Sequence, residues 1–149
     1  MLEMDRFTSA AKWVLIRAHK EALKSYQEFI QPHHLLLSIA ELSEIGGGIA
    51  YDMLIQTGIS AHRIRDAISV AEEKGENLDG IAQVSPETEK VLKNAIEKAI
   101  KLRKQYSISP EHILLGILDT KEKTQEFLCQ LDINPKEMSE NIIKMIKED

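Results

Sequence analysis

The sequence predicts an all-α fold made of two pseudo-twofold-related four-helix repeats, eight helices in all, and three observations lead there. First, the chain matches itself: Thr8 to Ala22 aligns with Ser85 to Ala99, sharing Val14/Val91, Leu15/Leu92, Ala18/Ala95 and Ala22/Ala99. Second, those shared positions recur at helical spacing and give each copy of this helix one apolar stripe. Third, no stretch alternates like a strand over enough residues to compete.

In chain order, the first helix is predicted over 8–25, behind the hydroxyl of Thr8. The second, over 32–42, opens on Gln31-Pro32-His33-His34 and an aliphatic run, the counterpart of Ser109-Pro110-Glu111-His112 further on. Gly46-Gly47-Gly48 resembles a phosphate-binding loop only superficially, because no strand precedes it and no Gly-Lys-Ser/Thr follows; it reads as a flexible helix–helix connection. Helices over 48–57 and 61–73 complete the first copy, and their pattern Leu54…Ile59…Ile64…Ile68 returns as Leu128…Ile133…Met138…Ile142. Glu72 to Gly80 is polar with two glycines and reads as a linker, which places the first repeat at 1–74, the linker at 75–83 and the second repeat at 84–149. The second copy's helices are predicted over 86–104, 110–118, 121–131 and 135–147. Their starts are marked by Ser85-Pro86, Ser109-Pro110 and Asn134-Pro135-Lys136-Glu137, each a capping residue before a proline in the first turn.

At 149 residues the chain is long enough to bury a core, and with 43% hydrophobic but only 5% aromatic residues that core is aliphatic. The net charge of −5, with no dense Lys/Arg block, lacks the electrostatic footprint of a nucleic-acid binder. A single cysteine, Cys129, excludes an intrachain disulfide and a cysteine-rich zinc site and points to a reducing, cytoplasmic setting. Charges at Glu3, Asp5 and Arg6 stand where a signal peptide has its apolar segment, and no run reaches the roughly 20 apolar residues of a membrane span.

The chemistry-bearing residues support binding over catalysis. His33 and His34 have no His or acid three or four residues on to complete a zinc pair, so no metal or cofactor is expected. His34 and His112 occupy equivalent places before aliphatic runs and read as half-buried imidazoles bonding a neighbouring helix end. Cys129, between Leu128 and Leu131, reads as a small core hydrophobe, and no catalytic nucleophile is predicted. Glu72-Glu73 and Glu21/Glu28 read as a solvated face; Trp13 is either core or an exposed anchor. Ser85 and Glu111 each stand at a helix start, where free N–H groups favour an anion and a carboxylate can grip a guanidinium. The same residues also fit a plain N-cap and a first-turn acid.

Taken with Arg6-Phe7-Thr8, Gly48-Ile49-Ala50 and Pro110-Glu111-His112-Ile113-Leu114-Leu115-Gly116, which is similar to the signature T-E-H-I-L-L-G, nearly the whole chain resembles the Clp N-terminal domain. That module is the double four-helix unit at the front of ClpA- and ClpC-type AAA+ unfoldases. The resemblance implies a non-enzymatic recognition module that docks protein substrates or adaptors on the groove between the copies and around the helix starts, for an ATP-driven unfolding ring. The chain has no Walker A sequence, so it is expected to be a fragment of such a machine or a stand-alone relative. A helical regulator of a small ligand or dimer partner is the alternative. In ClpC-type members each copy binds phosphoarginine through a hydroxyl residue at the first helix and the signature glutamate. Carried over, the second copy has Ser85 and Glu111, while the first has Thr8 but His33 in place of the glutamate. A histidine does not accept a guanidinium as a carboxylate does.

Overall fold

The computed structural model describes residues 4–102, 107–121 and 123–148. Eight α-helices lie among them: α1 Ser9–Lys24, α2 Pro32–Ala40, α3 Ile49–Gln56, α4 Ala61–Ala71, α5 Pro86–Leu102, α6 Pro110–Leu118, α7 Lys123–Gln130 and α8 Pro135–Glu148. All eight coincide with the predicted helices to within a few residues at their ends. Positions 103–104 of the predicted fifth helix and 122 of the seventh lie outside the described residues.

Two helices form the centre. α6 is buried at every position, and α2 at every position but His33, so neither has a polar face. A helix that is apolar all round survives in water only when others cover it on every side. The amphipathic helices supply that cover: α1 through Ala11, Val14, Ala18 and Ala22, α5 through Val91, Leu92, Ala95 and Ala99, and α8 through Met138, Ile142 and Ile146. Small residues on α1 and α5 let the central helices approach closely. Gly116 takes this furthest, since a Cβ there would lie 2.4 Å from the Val91 carbonyl oxygen of α5.

The copies are interlaced by a feature that sequence patterning misses. Phe29–Ile30 (β1) pairs in parallel with Gln83–Val84 (β2), and Phe7 forms a parallel bridge with Ile108. The segment leading into α1 therefore lies against the segment leading into α6, and the segment leading into α5 against the one leading into α2. Two residues per strand are too few for a period-two pattern to register.

The predicted linker is tied down. Gly75 N–H donates to the Ser25 carbonyl at 2.8 Å, Asn77 N–H to the Tyr26 carbonyl at 2.9 Å, and Ala82 N–H to His19 Nε2 at 3.0 Å. A Cβ on Gly75 would lie 2.0 Å from the Tyr26 carbonyl oxygen, so this contact requires glycine. Trp13 is half-buried, packed on the core with the Arg17 guanidinium 5.3 Å from its ring centroid.

Several side chains sit differently from the sequence reading. Cys129 is exposed, because α7 buries Thr124, Phe127 and Leu128 and the next residue is turned about 100° off that stripe. Glu21 is buried rather than solvated: the Arg65 guanidinium bonds both its oxygens, at 3.0 and 3.2 Å, and reaches Glu41 at 3.0 Å, tying α1, α2 and α4 together. Burial opposes the charge on Glu21, but the Arg65 bonds and the nearby Lys24 prevail and lower its pKa.

Candidate docking site at the helix starts

The ladder decides which helix starts are neighbours. Ser85 N–H donates to the Ile30 carbonyl at 3.2 Å, and Thr8 N–H to the Ile108 carbonyl at 3.0 Å. Ser85 of the second copy thus stands beside the start of α2, which carries His33; Thr8 of the first copy stands beside the segment entering α6, which carries Glu111. The ladder thus sets each hydroxyl beside the segment that enters the other copy's signature helix, an arrangement alignment within one copy does not reveal.

Ser85 is buried, and its hydroxyl is committed locally. Its Oγ accepts from Thr88 N–H at 3.0 Å and donates to Thr88 Oγ1 at 2.9 Å, while Thr88 Oγ1 donates to the Ile30 carbonyl at 2.7 Å. Thr8 Oγ1 caps α1 by accepting from Ala11 N–H at 3.1 Å. Glu111, in the first turn of α6, is 9% exposed.

His34 and His112 are fully buried, and each bonds the start of its own helix. Gln31 N–H donates to His34 Nδ1 at 2.8 Å, and Ser109 N–H to His112 Nδ1 at 2.9 Å. Imidazole here takes the place of the Glu or Gln of a capping box. With Nδ1 accepting, the proton of the neutral His34 ring is on Nε2.

Both imidazoles lie close to Glu72. Glu72 Oε2 lies 2.6 Å from His33 Nε2 and 3.0 Å from His34 Nε2, and its side chain is only 8% exposed. Burial works against ionisation of Glu72, but the bonds from His33 and His34 outweigh it and bring its pKa down to about 2. His33 shifts the other way from a simple ion pair: burial favours the neutral ring more than Glu72 favours the charged one, and its pKa is lowered. The assembly is an ionised carboxylate accepting from the His33 Nε2–H, with His34 Nε2 3.0 Å away, closed by the Phe127 ring 5.3 Å from that of His33. Glu72 is therefore not part of a solvated face. It follows Ile64 and Ile68 at steps of four, so it lies on the inward stripe of α4, and the second copy has Ile146 at the matching position. An acid on an apolar stripe was the available signal.

His33, His34 and Glu72 have the composition of a metal site, with ligand atoms within 4.8 Å of one another. Two observations disfavour one. The carboxylate–imidazole separations are hydrogen-bond distances, shorter than the roughly 3.3 Å between ligands of a tetrahedral zinc. His34, moreover, cannot offer an Nε2 lone pair while Nδ1 serves the α2 cap.

A cavity of about 610 Å³ opens beside this cluster, bounded by His33, Glu72, Glu87, Lys123 and Phe127. Glu87, in the first turn of α5, is oriented by a hydrogen bond from Thr124 Oγ1. The cavity joins elements of both copies, where a docking groove was expected.

The Clp repeat (R) N-terminal domain family matches residues 6–131. A "Probable ATP-dependent Clp protease ATP-binding subunit" from Chlamydia pneumoniae is 29% identical over 146 residues, 96% of this chain and 17% of that protein. The chaperone protein ClpB of Rhodopirellula baltica is 23% identical over 137 residues, 91% of this chain and 15% of that protein. The chain thus spans less than a fifth of the length of these relatives. Among solved structures, the N-terminal domain of the chaperone ClpD from Arabidopsis thaliana superposes with a TM-score of 0.76 at 24% identity, covering 97% of this chain and all of that one (100%). The N-domain of ClpV from Vibrio cholerae gives 0.74 at 17% identity, covering 98% and 87%. A complex of the ClpV N-domain with a VipB peptide gives 0.71 at 15% identity, covering 95% and 89%. The interlaced double repeat, the signature run into α6 and these matches together establish that the chain belongs to the Clp repeat N-terminal domain family.

Proposed function

We propose that the chain is a non-catalytic docking module that recruits substrates or adaptor proteins for a Clp-type ATP-dependent unfoldase. The observation that carries this reading is family membership over residues 6–131, which leaves little of the chain for any other activity. Two features support it. The related ClpV N-domain has been solved with a VipB peptide. In this chain, the polar groups at the helix starts are engaged in caps and a carboxylate–imidazole cluster. Affinity capture from native extract with the chain as bait, read by mass spectrometry, tests it. Recovery of a Clp ATPase, its peptidase or its adaptors is expected; reproducible recovery of none moves the reading to an independent helical regulator.

Phosphoarginine is the ligand we propose for the helix starts. Glu111 supplies the carboxylate for the guanidinium, and the N-terminus of a capped helix supplies N–H groups for the phosphoryl group. Two hydroxyls are candidates for completing the site with it, Ser85 of the same copy and Thr8, which the ladder sets beside the segment entering α6. Titration with free phosphoarginine distinguishes them. Glu111→Ala abolishes the signal, and whichever of Ser85→Ala and Thr8→Ala weakens it identifies the partner hydroxyl. A wild-type chain that gives no signal, or one that Glu111→Ala leaves unchanged, rules the ligand out.

A further inference from the structure

The cavity beside His33 does not end at Gln31. A second recess of about 430 Å³ adjoins it, sharing Gln27 and Gln31 as common walls and running under the linker past Tyr26, Phe29 and Leu78. The two form one trough from α7 to the linker, and its charge is one-sided. Glu72, Glu73, Glu87 and Glu126 line the inner part against a single cation, Lys123. Glu28, Glu76 and Asp79 line the outer part with no lysine or arginine at all. Among the described residues, none of these seven carboxylates is in a salt bridge with a lysine or arginine.

Uncompensated carboxylates along a recess attract cations, and the arrangement says which kind. A bound metal ion needs oxygens converging on one point. Among the described residues the only group of three within metal reach is His33, His34 and Glu72, so the remaining acids are strung out along the trough. A row of separated charges matches a chain that carries its cations at intervals. The outer walls add apolar anchors, with Leu78 83% exposed, Phe29 40% and Tyr26 38%. Long lysine and arginine stems and an occasional apolar residue are what such walls cover. Lys74, 4.9 Å from the Tyr26 ring centroid, shows that this ring already accepts an ammonium group on one side.

We propose that this trough docks an extended, lysine- and arginine-rich segment of a client polypeptide, with no phosphoryl group required. The inference rests on the recruitment reading and names the client's chemistry. It also gives a role to the exposed apolar residues of the linker, which neither the caps nor the core uses.

The test is fluorescence anisotropy of the whole chain with three labelled peptides of equal length: one of lysine, arginine and glycine around a central leucine, its glutamate counterpart, and the first peptide with its arginines phosphorylated. The basic peptide is expected to bind saturably and more weakly as salt rises, and the glutamate peptide not to bind. Replacing the exposed outer acids together (Glu28→Gln, Glu76→Gln, Asp79→Asn) is expected to weaken the basic peptide roughly five- to tenfold. The same charge change outside the trough (Glu89→Gln, Glu97→Gln, Glu140→Gln) is expected to cost less than about twofold. Equal binding of basic and acidic peptides, equal effects of the two triple variants, or binding only of the phosphorylated peptide would each overturn the proposal. Failure here with Clp components still captured removes the trough and leaves recruitment standing; failure of capture with the peptide still bound removes the Clp link and leaves the trough.

Discussion

Glu72 is where one side chain most changes the account of the site. Its folded pKa of about 2 lies below the ordinary carboxylate value of 4.5, so the stability it contributes is fully present above pH 4.5 and is lost as pH falls toward 2. His33, whose pKa is lowered by burial, acts in the same direction from a higher starting point, because below pH 6.5 the unfolded chain binds a proton that the folded chain resists. Stability is thus expected to decline on acidification from neutral pH, first through His33 and then through Glu72. Glu72→Gln is expected to cost about 1–2 kcal/mol at pH 7, allowing for solvent screening at the mouth of the cavity, and progressively less below pH 4.5. Urea denaturation of both proteins across that range checks it, and a difference independent of pH would contradict the role of the ionised carboxylate. The residues of this cluster were only partly legible. The α2 motif singles out His33 and His34, but their partner is 38 or 39 residues away and brought in by the packing of α4. Ser85 and Glu111 stand out at helix starts in the sequence because helix caps are local and their residue types follow from the four orphan N–H groups of any helix start.

At the scale of elements, helix positions were legible because apolar spacing and caps are local, while the ladder between copies was not. Gly116 belongs to both levels. The sequence shows it inside the α6 signature, and the structure gives the reason, a 2.4 Å approach of a hypothetical Cβ to the α5 backbone. Gly116→Ala must push two buried helices apart and is expected to lower stability by about 1–3 kcal/mol despite the better helix propensity of alanine. An unchanged denaturation midpoint would show that α5 and α6 do not meet as described. Ser85→Ala removes the α5 cap and one partner of the buried Thr88 hydroxyl, and is expected to cost about 1–2 kcal/mol, with faster amide exchange at Thr88. The linker, read as polar and flexible, is instead pinned by backbone bonds to Ser25 and Tyr26 that composition does not reveal.

For the molecule as a whole, interlacing means that neither copy is complete alone. Residues 1–74 or 84–149 by themselves would leave α2 or α6 open on the side that faces the other copy and lose the partner strands at the helix starts. Each half is expected to be largely unstructured by circular dichroism, to regain helix when mixed with the other, and the intact chain to unfold in one transition. Two separate transitions would make the repeats independent domains. The same interlacing builds the groove from both copies, so the docking proposed there would be a property of the whole chain. The most direct test of that claim is amide hydrogen exchange of the intact chain with and without the partner recovered by affinity capture. The account predicts added protection at the segments entering α1, α2, α5 and α6 and along the linker trough. Protection confined to α3 and the turn before it, or absent everywhere, would contradict docking at the helix starts.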